Sequence, residues 1–147
     1  MNRRQFNQAL VGDLLGGCLS LRRGALADED SDVKQLGREL QSYLSVMTYP
    51  EDPTTPPTYL LIQESALRGL VRCTECGESV NMGGFVVKSR NTGETLEMDY
   101  LGVHAMVEHG TSQYHYDVST EDLEEPQDKM IGVQMLRRIL HDEKPGL

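Results

Sequence analysis

Apolar residues along this chain recur at two periods, and their alternation divides the sequence into helices and strands. Over residues 32–47, Val33, Leu36, Leu40, Tyr43, Leu44 and Met47 fall on one side of a 3.6-residue repeat. That spacing predicts an amphipathic helix, with Ser31 or Asp32 available as its N-cap. A second such face, built from Met130, Ile131, Met135, Leu136, Ile139 and Leu140, predicts a closing helix over about residues 127–142. Between them the pattern shortens. Residues 58–63 (TYLLIQ) read as a strand, Ser65 and Ala66 as a loose turn, and residues 67–72 as a second strand or an irregular lead-in to Cys73. Two β-prone runs, 85–89 and 95–100, flank Asn91-Thr92-Gly93 and predict a hairpin, with Leu96, Met98 and Tyr100 on its inward face. Residues 101–109 read as a short helix stopped by Gly110, and residues 112–119 as a polar loop.

Proline and charge set the punctuation. Pro50, Pro53, Pro56 and Pro57 enforce an extended linker, and residues 120–126 (TEDLEEP) form an acidic connector. There are no internal repeats. The expected organisation is an export signal over 1–27, an N-terminal helix over 28–49, a Pro-rich linker over 50–57 and an α+β domain over 58–147. In that domain a cysteine knuckle, a β-hairpin and a short helix pack with the two terminal amphipathic helices.

The first 27 residues carry a basic start (Arg3-Arg4), a weakly apolar run of 13 residues from Ala9 to Leu21, and Ala25-Leu26-Ala27 before an acidic stretch. These are the parts of an export signal. Arg3-Arg4-Gln5-Phe6 resembles the twin-arginine (Tat) signal, departing from it at Asn7 and at Asp13, which interrupts the apolar run. The alternative is an amphipathic N-terminal helix of a cytosolic protein. Leu15-Gly16-Gly17-Cys18 resembles a bacterial lipobox, which implies a lipid anchor at Cys18 if cleavage falls there. Either way the expected location is periplasmic or otherwise extracytoplasmic. No other segment approaches the roughly 18 apolar residues that a membrane-spanning helix needs.

Charge narrows the partners. The chain has 14 basic and 23 acidic residues, net −9. Cleavage after Ala27 leaves 10 and 22, or −12, because Arg3, Arg4, Arg22, Arg23 and Asp13 are lost. Such a balance repels nucleic-acid phosphates and anionic lipid, so the expected partner is a protein or small molecule.

Chemistry concentrates in Cys73-x2-Cys76-Gly77 and His104-x4-His109, separated by 27 residues. Two thiolates and two imidazoles complete the tetrahedral shell that Zn²⁺ prefers, and the glycine permits the tight reversal that aims both sulfurs at one point. Five residues on an ideal helix turn about 500°, leaving the imidazoles about 140° apart, so His109 is expected at an unwound helix end beside Gly110. Knuckle, hairpin and helix in this order resemble the zinc-ribbon and treble-clef group, and an enlarged two-Cys, two-His finger, over residues 73–109. The long spacer sets aside finger-like DNA reading. Residues 80–84 and 101–110 are also similar to small bacterial proteins with a like C-x2-C and H-x4-H pair, a resemblance that implies no activity.

Three alternatives stand beside a structural zinc. Cys73 and Cys76 could be a disulfide in an oxidising compartment. A hydrolytic metal site would need an open position and a base, for which Glu108 is the candidate, with His115 and Asp117 nearby in sequence. Copper handling would recruit Met82, Met98 or Met106. The reading that the residues carry furthest is an exported accessory or binding protein built around one Cys2His2 zinc.

Overall fold

The computed structural model describes residues 29–48, 53–117, 126–144 and 146. The export signal, Cys18 and residues 118–125 of the acidic connector lie outside the described residues. The fold is mixed α+β. Helix α1 occupies residues 29–43. Strands β1 (Leu60–Arg72), β2 (Ser79–Ser89) and β3 (Thr95–Asp99) form an antiparallel sheet in that order. Helix α2 (Tyr100–His104) follows directly and widens into a π-helical turn over Ala105–His109. Strands β4 (Gln113–Tyr116) and β5 (Gln127–Met130) pair antiparallel as a second sheet, and helix α3 (Val133–His141) ends the chain.

Paired residues of an antiparallel ladder point to the same side, so the register divides the three-stranded sheet into two faces. Rows Ile62–Val87–Leu96 and Glu64–Phe85–Met98 belong to one face, and Phe85, Val87 and Met98 are buried. Against that face α1 contributes Leu36, Leu40 and Leu44, α2 contributes Leu101 and Val103, and α3 contributes Leu136, Ile139 and Leu140, all in one cluster. The opposite face carries Gln63–Val86–Glu97 and Ser65–Gly84–Asp99. Burying both hydrophobic helix stripes on one sheet face is the ordinary two-layer solution.

Several boundaries differ from the expectations set by periodicity. Helix α1 is already helical at residue 29, so Ser31 and Asp32 lie inside it. It stops at residue 43 because Thr48 Oγ1 donates to the carbonyls of Gln41 (3.1 Å) and Leu44 (2.7 Å), while Thr54 N–H donates to Ser42 O (2.8 Å). Those carbonyls would otherwise be orphaned at the helix end. Residues 58–63 and 67–72 are not two elements but parts of one 13-residue strand with a register shift between Ala66 and Leu70. A bulge admits the extra residues without ending the ladder. The polar loop expected over 112–119 contains β4, and the start of the expected closing helix is β5. Gly132 then serves as N-cap of a shorter α3.

Candidate metal centre

Cys73 and Cys76 lie in the turn that joins β1 to β2, just beyond the last ladder pair, Arg72 with Ser79. Cys73 N–H donates to Glu78 O and Gly77 N–H donates to Cys73 O, both at 2.8 Å. Gly77 has φ +76, a conformation that a side chain disfavours, and this reversal turns the second sulfur back toward the first. The strand pair therefore clamps the turn from below. Cys73 is buried and Cys76 exposed, and both are free thiols rather than a disulfide.

The histidines come from the helix after β3. His104 is buried at the end of α2, and His109 closes the π-helical turn. Sequence spacing led to an expectation of unwinding at His109, whereas the chain keeps helical backbone and widens. A turn closed by i→i+5 bonds uses up an additional residue, so a five-residue separation returns close to the same face. The rings meet edge to face with centroids 5.3 Å apart. Gly110 (φ +64) then caps the turn, its N–H donating to Met106 O at 3.1 Å, while Thr111 N–H reaches Ala105 O at 3.3 Å. Gly37 of α1 lets the two helices touch, since a Cβ there would stand 2.8 Å from Met106 Cβ.

Four ligand atoms converge, one each from Cys73, Cys76, His104 and His109, all within 4.8 Å of one another. His109 Nε2 lies 3.4 Å from Cys73 Sγ and His104 Nε2 lies 3.3 Å from Cys76 Sγ. Metal–sulfur and metal–nitrogen bonds of about 2.3 and 2.0–2.1 Å at tetrahedral angles would put sulfur and nitrogen about 3.5 Å apart. The donor set and its spacing fit a tetrahedral metal ion. The outer nitrogens are also occupied: His109 Nδ1 is 3.4 Å from Glu75 Oε2 and His104 Nδ1 is 4.0 Å from Glu78 Oε2. A carboxylate on Nδ1 favours the tautomer that leaves the Nε2 lone pair for a metal.

Two sulfurs this close resist losing both protons when no cation is present. The Cys76 thiol is held above its ordinary value: the backbone N–H of Glu78 pulls it down, but partial desolvation and the adjacent Cys73 sulfur outweigh that pull. A divalent cation reverses the balance, because it binds the deprotonated form of both sulfurs.

The residues weighed for other chemistry do not join this cluster. Glu108 is exposed on the outside of the helix. His115 Nδ1 is paired with Asp128 Oδ1 at 2.8 Å across β4 and β5. Met98 and Met106 are buried in the apolar core, and the Met82 sulfur packs beside Gly69. The space beside Cys73 and His109, lined also by Leu101 and Tyr114, is only about 10 Å³. That is too small for a substrate.

One buried group escaped the sequence reading. Asp99, taken there as a polar residue of an alternating strand, is the N-cap of α2, its Oδ1 accepting from Gly102 N–H at 2.8 Å. Oδ2 accepts from Tyr114 O–H (2.8 Å) and from Lys129 Nζ (3.0 Å). An Asp immediately before a helix start is the local signal that could have found it.

Among the described residues no helix is long and apolar enough to cross a membrane. No family model, curated protein or solved structure matches this chain.

Proposed function

We propose that this protein is a small exported accessory or binding module in which Cys73, Cys76, His104 and His109 hold one structural Zn²⁺. The observation that carries the reading is the convergence of these four ligand atoms, from a strand turn and a helix otherwise joined only through the sheet. Two thiolates and two imidazoles suit zinc, four protein donors leave no position for water, and the absence of a substrate-sized space beside them favours a structural role over hydrolysis. In this role the ion ties the β1–β2 turn to the helix after β3. Export rests on the Arg3-Arg4 start and the Ala25-Leu26-Ala27 exit, and a twin-arginine route would allow the zinc to be loaded in a reducing compartment before the folded chain leaves.

Elemental analysis of the purified full chain, beside melting curves with and without a chelator, tests the metal. One zinc per chain is expected, removed only with loss of the fold. The Cys76→Ser variant is expected to lose zinc and melt lower together. Full zinc content with unchanged melting in that variant would remove the structural role. Signal-peptide processing at Ala27, read by N-terminal sequencing of secreted material, tests the address.

A further inference from the structure

The largest cavity in the molecule is not at the metal centre. It is an open trough of about 540 Å³ on the outer face of the three-stranded sheet, walled on one side by β4 and β5. Small-molecule sites commonly have about 300–1,000 Å³. Its floor is the Ser65–Gly84–Asp99 row and the neighbouring Gln63–Val86–Glu97 row. Because Gly84 has no side chain, the middle of the first row is open. Only three large apolar side chains are strongly exposed among the described residues, and two of them, Leu67 (58%) and Met130 (73%), stand at this trough.

Its charged groups are few and unequal. Lys129 is already neutralised by Asp99 at 3.0 Å and rests over the Tyr116 ring, 4.2 Å from its centroid. Glu97, one residue row away, has no hydrogen-bond or ion-pair partner among the described residues. The trough thus carries one uncompensated negative charge beside apolar side chains and tyrosine rings.

We propose that this trough is a ligand site for a small amphipathic organic cation, an apolar body carrying an ammonium or guanidinium that pairs with Glu97. It deepens the binding-module reading by giving the metal a purpose. Tyr114 packs its ring over Gly102 of α2, where an added Cβ would stand 3.1 Å away, and Asp99 caps the same helix. The trough wall is therefore assembled on the helix that carries His104.

Three isosteres make the test: phenethylamine, 2-phenylethanol and 3-phenylpropionate, titrated into the full chain by calorimetry and protein-observed NMR. The amine is expected to bind most tightly, with shifts at Ser65, Val86 and Glu97. Val86→Trp, which fills the floor, is expected to weaken it at least about tenfold by displacing the apolar contact. Glu97→Gln, an exposed change that spares the fold, is expected to bring the amine to the affinity of the alcohol, a loss of about fivefold. Failure of all three to bind, equal binding of the three, or amine binding indifferent to Glu97→Gln overturns the proposal. Zinc content is measured on each sample. Amine binding to a chain that never held zinc would keep the trough and sink the metal reading, and stoichiometric zinc without amine binding would do the reverse.

Discussion

The imidazole of His109 stands between Cys73 and Glu75, with Nε2 3.4 Å from the sulfur and Nδ1 3.4 Å from the carboxylate. His104 repeats the relationship more loosely with Cys76 and Glu78. One six-residue turn, Cys73 to Glu78, therefore supplies both sulfurs and both carboxylates that face the outer nitrogens. Changing Glu75→Gln is expected to weaken metal binding about tenfold, the low end for outer-shell carboxylates because Glu75 is exposed to water. Competition against a chromophoric chelator measures it. An unchanged affinity would mean that Glu75 is only a solvated side chain.

Glu78→Gln is expected to matter less than Glu75→Gln, since its contact with His104 is 4.0 Å. At that distance it acts as a charge rather than a hydrogen-bond acceptor. Its effect should fade between low and high salt, because exposed pairs are screened. The two variants, compared in the same competition assay at two ionic strengths, separate a positioning role from a field effect.

Asp99 joins three elements through one carboxylate: the start of α2, Tyr114 on β4 and Lys129 on β5. Replacing Tyr114 by Phe removes one of these bonds and is expected to cost about 1–2 kcal/mol of stability. Asp99→Ala removes all three and leaves Gly102 N–H and Tyr114 O–H without their acceptor, so a loss of about 3 kcal/mol or more is expected. Urea melts give both values. If Asp99→Ala is no worse than Tyr114→Phe, the capping bond contributes nothing.

The four metal ligands were legible in the sequence because their evidence is local: a thiol pair on a tight turn and a histidine pair on a short helix. Helical stripes and the Asn91-Thr92-Gly93 hairpin were legible for the same reason. What escaped depends on partners distant in sequence. Residues 127–130 fit the helical stripe of α3, yet they pair with Gln113–Tyr116, and Lys129 reaches Asp99 thirty residues back. Ser65 and Ala66 look like a turn until β2 is placed beside them, where the bulge carries the strand through. The π-helical turn has no compositional signature in Ala105–His109. Only the need to aim two imidazoles five residues apart at one point hints at it.

Two buried tyrosines give the fold an alkaline limit. Tyr100 is pushed up to about 12 by burial and by Glu64, to whose carboxylate its hydroxyl donates at 3.2 Å. Tyr114 is raised further by burial and by Asp99. In the unfolded chain both should ionise near pH 10. A group whose proton is held more tightly in the folded state contributes stability that is complete below the unfolded value and is lost as pH rises through the folded one. Stability is therefore expected to fall from about pH 10 upward, with most of the Tyr100 contribution gone by about pH 12. Absorbance at the tyrosinate band, recorded with far-ultraviolet circular dichroism, follows both events. Four of the six tyrosines should titrate while the fold persists, and Tyr100 and Tyr114 only as it is lost. Tyr114→Phe should start from lower stability at neutral pH but lose less on passing to pH 12. Six tyrosines ionising together near pH 10 with secondary structure intact would show that neither hydroxyl is held as described.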